Sequence, residues 1–257
     1  LVPAHNEEDW IVHTIGRLKQ QVDEQGQIIV IADNCSDATA KRAAAAGATV
    51  WERNDSTRLG KAYAMNFAFE RLAENPPDAV VCIDADCVPG PSAVPTLARL
   101  AHQLGQPVQA AYRMYAPETQ RGMGQISAFA VYVKNVIRPR GLQRLGLPCM
   151  LNGSGMAFPW SAVAAVPYPA EHLADDYRLT SDMAAAGFLP VPCMELSVSS
   201  VLPDQCSGFL AQRTRWEQGH MAVVLYEPPR LLAAGLRHRS WRTLVLIPEM
   251  SVPPLSF

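Results

Sequence analysis

Residues 78–86 read Asp-Ala-Val-Val-Cys-Ile-Asp-Ala-Asp (DAVVCIDAD), and this stretch decides the fold. An apolar run that ends in carboxylates is how a strand buried on both faces of a parallel sheet reads, with polar side chains released at its carboxyl end. The pattern recurs upstream. Val2 starts a run that ends in Pro3-Ala4-His5-Asn6, Gln27–Ile31 (QIIVI) leads to Asp33, and Ala48–Trp51 makes a third short strand. Helical spacing fills the gaps. Trp10, Ile11, Ile15 and Leu18 mark a helix over Glu7–Gln21, Ser36–Ala46 is alanine-rich and stops at Gly47, and Gly60–Leu72 is a third. Beyond Asp86 a helix from Pro91 to Leu104 and a strand over Val108–Arg113 continue the alternation. Such a βαβαβαβ order predicts an α/β fold with a mostly parallel central sheet flanked by helices.

The second half is less regular. Helices are expected over Gly124–Val136, Leu173–Gly187, Gly208–Leu225 and Arg230–Ile247, with a strand at Met156–Phe158. No repeat or low-complexity linker divides the chain, so residues 1–257 read as one catalytic domain. Its parts are a ligand-binding half over 1–115, an acceptor-side half of helices over 116–230, and a tail over 231–257.

Composition excludes several classes. With 22 Lys+Arg against 24 Asp+Glu in 257 residues, nothing suggests nucleic acid as a partner. Hydrophobic residues at 49% exclude a disordered chain. The cysteines, Cys35, Cys82, Cys87, Cys149, Cys193 and Cys206, form no CxxC pair, which argues for reduced thiols in a cytosolic domain rather than a zinc site. Neither GxGxxG nor GxxxxGK[ST] occurs, so a dinucleotide fold or P-loop is not expected.

Ligands of open α/β sheets bind beyond the carboxyl ends of the strands. Here those ends carry His5-Asn6-Glu7, then Asp33-Asn34-Cys35-Ser36-Asp37, then Asp84-Ala85-Asp86. Carboxylates gather where a phosphate loop would have glycines. Two aspartates two residues apart can hold a hard divalent cation that takes its other ligands from phosphates. A plain alternative for Ser36 or Asp37 is to cap the next helix.

Taken together, Pro3–Glu7, Asp33–Thr39, Arg58–Lys61 with Asn66, and Asp84–Asp86 resemble the nucleotide-binding half of family 2 glycosyltransferases. Those are inverting enzymes with the GT-A fold. The resemblance continues through Gly153-Ser154-Gly155 and through Asp175-Asp176 with Leu179, Met183 and Gly187. It ends at Gln212-Arg213-Thr214-Arg215-Trp216, similar to the Gln-x-x-Arg-Trp motif of membrane polysaccharide synthases. This chain departs from the family in having Ala32 before Asp33, Asp175 where Glu is common, and a single glycine before Lys61.

The resemblance implies a hexosyltransferase that uses a nucleotide diphospho-sugar, most readily a UDP-sugar, with Mg2+ or Mn2+. It implies Glu7 and Asp33 at the base and ribose, Lys61 near the diphosphate, Asp84 on the nucleotide and Asp86 on the metal. Asp176 is the expected general base, its direction fixed by Leu179 and Met183 on the same helix face. A cap role for Asp175 or Asp176 is the alternative, and Asp182, inside the helix, is expected to be solvated. Gln212, Arg215 and Trp216 are expected on a helix closing over the acceptor and diphosphate, whereas Trp10, Trp51 and His220 are expected to be structural.

The acceptor would be a glycan or a lipid-linked molecule, in polysaccharide or cell-envelope synthesis at the cytoplasmic face of a membrane. Gly124–Val136 and Ser207–Leu225 can be read as surface helices of such an enzyme, with Lys134, Arg138, Arg140 and Arg144 near Phe129, Val131 and Val133. A core-facing helix with a solvated basic side accounts for them equally. The opening LVPAHNEE lacks the basic region of a signal peptide. The closing run TLVLIPEMSVPPLSF is shorter than the roughly 20 apolar residues of a span, so the chain reads as a piece of something longer. Two rivals use the same fold logic. One is a sugar-nucleotide pyrophosphorylase, although residues 2–6 lack its Gly-rich basic loop; the other is an inactive sugar-nucleotide-binding regulatory module.

Overall fold

The computed structural model describes residues 1–117, 122–170, 175–202 and 223–252. Strands β1 (Val2–Ala4), β2 (Ile29–Asp33) and β3 (Thr49–Arg53) pair in parallel, in the order β1-β2-β3. Helices α1 (Ile11–Lys19) and α2 (Thr39–Ala45) supply the crossovers, and α3 (Lys61–Leu72) leads to β4 (Ala79–Cys82). All five residues of β2 are buried, as a strand covered on both faces requires.

The second sheet is mixed. It comprises β4, β5 (Val88–Pro89), β6 (Val108–Tyr115), β7 (Met156–Pro159) and β8 (Val191–Val201), ordered β4-β7-β6-β8-β5. Strand β7 runs antiparallel between β4 and β6, β8 lies parallel to β6, and β5 pairs antiparallel with β8. The backbone of Leu1 joins the two sheets: its amine donates to the Val81 carbonyl at 2.6 Å, and Ile83 N–H donates to the Leu1 carbonyl at 3.1 Å. The expected α/β architecture is therefore present, with antiparallel strands inserted into its second half.

Helix α1 starts at Ile11 rather than Glu7. Asn6 has φ +56°, and the backbone N–H groups of Glu7 and Glu8 donate to Thr39 Oγ1 and Asp37 Oδ2, so residues 7–10 form a turn instead. Helix α4 (Ala93–Leu104) covers the second sheet. Helix α5 (Met123–Tyr132) runs through a π-helical turn, Val133–Ile137, into α6 (Arg138–Arg144), and α7 (Trp160–Ala165) follows β7. Helix α8 (Asp175–Ala185) ends as the sequence indicates. Phe188 N–H bonds the Met183 carbonyl, Gly187 N–H bonds that of Ala184, and Gly187 takes φ +94°.

The C-terminal helix expected over Arg230–Ile247 is broken. Helix α9 covers residues 223–237, Arg239 adopts φ +50°, and α10 (Trp241–Leu244) and α11 (Leu246–Ser251) follow. Of the helix expected over Gly208–Leu225, only residues 223–225 are described, inside α9. Asp182 is a second correction. It is not solvated but receives Arg178 Nε at 3.0 Å and Arg230 Nη2 at 2.7 Å, while buried Glu227 receives both arginines. This network joins α8 to α9.

Candidate active site

The carboxyl ends of β1, β2 and β4 border a cavity of about 400 Å³. Glu7, Asp33, Lys61, Asp84 and Asp86 all line it, as do His5, Asn34 and Gly60. Five residues picked from four separate stretches of sequence thus meet at one rim.

Local bonds explain how they are held. Asn6 and Asn34 both adopt positive φ (56° and 51°), a conformation Asn tolerates and one that turns the chain sharply off β1 and β2. Asn6 Oδ1 accepts Ser36 N–H at 2.8 Å, Asn34 Oδ1 accepts Asp55 N–H at 2.7 Å, and His5 Nδ1 lies 2.8 Å from the Asp33 carbonyl. Asp37 takes Thr39 N–H at 2.9 Å just ahead of α2, whose N-cap position is held by Ala38 rather than by Ser36 or Asp37. Asp33, only 4% exposed, is neutralised by Arg53 from the end of β3, whose Nη1 donates to Asp33 Oδ1 at 2.6 Å. A carboxylate this buried needs such a partner. Arg53 escaped the sequence reading because its partner lies twenty residues away on another strand.

Lys61 opens α3 and donates to Asp84 Oδ1 at 2.5 Å and to the Gly153 carbonyl at 2.6 Å. Burial would pull its pKa down, but Asp84, Asp176 and Asp175 outweigh that, and the ammonium stays protonated. Asp84 N–H donates to Ser154 Oγ at 3.1 Å. The Gly153-Ser154-Gly155 turn therefore touches both members of the Lys61–Asp84 pair. It also meets Asp176: a Cβ on Gly153 would lie 3.0 Å from Asp176 Oδ2, and φ of +80° independently requires glycine there.

Asp176 sits in the first turn of α8, anchored by Leu179 and Met183, each 1% exposed. Burying each of those side chains is worth about 1.5–3 kcal/mol, enough to fix the helix on its core. Asp175 Oδ1 accepts the Asp176 N–H at 3.1 Å, and both carboxylates stand in the first turn of α8. Among the described residues no hydrogen-bond donor is bound to the Asp176 carboxylate. Burial and then Asp175 push its pKa well above the usual carboxylate range, with Lys61 and Lys134 pulling the other way. Lys134, on the π-helical turn, places its ammonium 4.8 Å from the centre of the Tyr177 ring. Gln212, Arg215 and Trp216 lie outside the described residues.

The rim is electrostatically unbalanced. Burial, followed by Asp86 and Asp84, raises Glu7 to about 7; burial and Asp84 likewise raise Asp86. Lys61 offsets Asp84, whereas no basic side chain forms an ion pair with Asp86 among the described residues. Mutually repelling carboxylates facing one cavity fit a hard divalent cation. No three His, Cys, Asp or Glu side chains among the described residues converge to cage a metal alone. One or two protein carboxylates is the number Mg2+ takes when phosphate oxygens and waters complete its shell.

Comparison with known proteins bears on this site. The family described as "glycosyltransferase like family 2" matches residues 1–219. No curated protein is similar enough in sequence to match. Among solved structures, the chain is similar to a mannosyltransferase from Pyrobaculum calidifontis in complex with GDP-Man and Mn2+, with TM-score 0.66 and 17% identity over 97% of this chain and 71% of that one. It is also similar to glucosyl-3-phosphoglycerate synthase from Mycobacterium tuberculosis in complex with Mn2+, UDP and phosphoglyceric acid, with TM-score 0.57 and 24% identity over 88% and 76% of the two chains. At these identities the likeness is one of fold, and that fold is GT-A.

Proposed function

This chain belongs to the glycosyltransferase-like family 2, and from that premise we propose that it moves a sugar from a nucleotide diphospho-sugar to an acceptor hydroxyl with inversion at the anomeric carbon. One observation carries the reading: the donor-side carboxylates line a single cavity, and Asp176 stands just across Lys61 and Gly153 from them. Glu7 and Asp33 accept hydrogen bonds from the base and ribose, with Asp33 pre-set by Arg53. Asp84 faces the nucleotide, and Lys61 contributes positive charge beside the diphosphate. Asp86, aided by Asp84, would hold Mg2+ or Mn2+, which supplies charge neutralisation at the departing diphosphate. Asp176 removes the acceptor's proton as its oxygen attacks opposite the leaving group. UDP- and GDP-sugars are the donors to try first, since the similar structures hold UDP and GDP-Man. Incubation with a panel of both and Mn2+ should release one nucleotide, faster when acceptor glycans or polyprenyl phosphates are added. A chain that releases neither nucleotide but makes nucleotide-sugar from sugar 1-phosphate would replace this reading by the pyrophosphorylase one.

The same reading includes a polysaccharide or lipid-linked acceptor at the cytoplasmic face of a membrane, with Gln212, Arg215 and Trp216 on the acceptor side. Surface chemistry supports it. No Asp or Glu occurs from residue 119 to 170 or from 228 to 248, and those stretches hold Arg144, Arg237, Arg239 and Arg242. Leu145, Leu236 and Trp241 are about seven-tenths exposed there, and Arg242 bonds the Gly146 carbonyl, bringing the two stretches together. Exposed Trp and Leu among arginines suit an anionic bilayer surface. No described helix is long and apolar enough to cross a membrane. The protein should sediment with phosphatidylglycerol vesicles and not with phosphatidylcholine alone. At about 1 kcal/mol per basic residue, R144Q/R239Q should weaken that binding roughly tenfold or more, and equal binding to both vesicle types would remove the membrane role.

A further inference from the structure

Gln109 is a fully buried polar side chain near the start of β6, between β7 and β8, with no place in the mechanism above. Its amide is used from both ends. Oε1 accepts the Asn152 N–H at 2.8 Å, and Nε2 donates to the Ser154 carbonyl at 3.0 Å and to the Ala110 carbonyl at 2.8 Å. Only a side chain that accepts and donates from adjacent atoms can make the first two bonds together. They clamp the backbone on either side of Gly153.

That short turn is where the two halves of the proposed reaction meet. Towards the donor, Gly153 offers its carbonyl to Lys61, and Ser154 offers Oγ to the Asp84 N–H. Towards the base, Gly153 packs against the Asp176 carboxylate. Leu151 N–H donates at 3.0 Å to Thr180 Oγ1, which itself donates to the Asp176 carbonyl at 2.8 Å. Gly155 completes the frame, with its N–H on the Cys82 carbonyl and its carbonyl on Ala110 N–H. Each residue from 151 to 155 is thus tied either to a group of the site or to the sheet beneath it.

We infer that Gln109 is a positioning residue: through the 152–154 backbone it holds the Lys61–Asp84 pair and the Asp176 carboxylate in register, so that sugar donor and base face each other at reacting distance. This rests on the glycosyl-transfer reading. Groups that fix the nucleotide, Glu7 and Asp33, have their own anchors in Thr39 and Arg53 and do not depend on Gln109. Loss of the clamp therefore falls on turnover more than on nucleotide affinity, which it touches only through the Lys61–Asp84 pair.

The test is Gln109→Met, which keeps length and volume and removes both amide functions. Misplacement of reacting groups by about 1 Å costs around 100-fold, so kcat should fall about 10- to 100-fold, while Kd for UDP or GDP and KM for the donor change less than about threefold. Amide hydrogen exchange at residues 151–155 should accelerate about tenfold or more, with exchange in β1 and β2 unchanged. Should Q109M not fold, Gln109→Asn, which keeps the amide one methylene short, is read the same way. A folded variant whose kcat stays within about twofold of wild type, or whose loss lies wholly in donor KM, overturns the proposal. Failure of the functional reading looks different: wild type then turns over no donor at all. In that case exchange at 151–155 alone decides, and unchanged exchange in the variant dismisses the clamp.

Discussion

Asp176→Asn should lower transfer by about 10²- to 10⁴-fold, the range a positioned general base contributes, and leave nucleotide binding intact. The geometry separates the two effects. Asp176 lies on α8 rather than on the donor rim, and it meets the rim through Gly153 and through the charges of Lys61 and Asp84. Asparagine preserves the shape against Gly153, so the carboxylate's basicity is the chief thing removed. The pH dependence adds an independent sign. A base must be deprotonated to act, and the Asp176 pKa is raised, by burial first and by Asp175 second. Wild-type kcat should therefore climb with pH above the ordinary carboxylate range and then level off, and the Asn variant should lack that limb. Burial also raises Glu7, to about 7, but Glu7 faces the nucleotide, so its titration belongs to donor KM. Retention of transfer within about twofold in D176N, measured as nucleotide release with acceptor present, would move the base elsewhere.

What the sequence revealed follows from how burial writes itself into composition. Strands β2 and β4 are covered on both faces, so they read as apolar runs, and the carboxylates that follow them had to lie at the rim. The place of Asp176 at the head of α8 was legible for the same reason, since Leu179 and Met183 fix one face of that helix. Strand β8, with the sequence VPCMELSVSSV, gave no such signal, because its serines and Glu195 break the apolar run and its pairing with β6 shifts at Ala110/Ala111. Arg53 and Gln109 were illegible for a different reason. Each is a polar residue whose meaning comes from a partner 20 or 43 positions away, at Asp33 or Asn152. Spacing within one helix or strand cannot express such a pair. Asp182 was misread as solvated because Arg230, itself paired with Glu227, reaches it from beyond the next strand.

Removal of the Asp86 carboxylate should abolish the dependence of nucleotide binding on divalent metal. In Asp86→Ala, UDP or GDP binding measured by calorimetry should lose the gain that Mn2+ confers in wild type. The loss should be at least the 10- to 100-fold that even outer-shell changes around a metal cause. The argument rests on charge. Asp84 is already committed to Lys61, at 2.5 Å, so it is the lesser contributor of negative charge to an incoming cation. Asp86 has no such ion pair among the described residues, and both burial and Asp84 oppose its ionisation, a strain that a bound cation relieves. Asp86→Ala also removes one of the charges that raise Glu7, so binding in EDTA should hold steady or strengthen slightly as Glu7 ionises more readily. That opposite response, weaker with Mn2+ and no weaker without it, separates loss of a metal ligand from a collapsed cavity. Equal weakening in both conditions would mean that Asp86 supports the rim and that the cation, if it binds, is held by other groups.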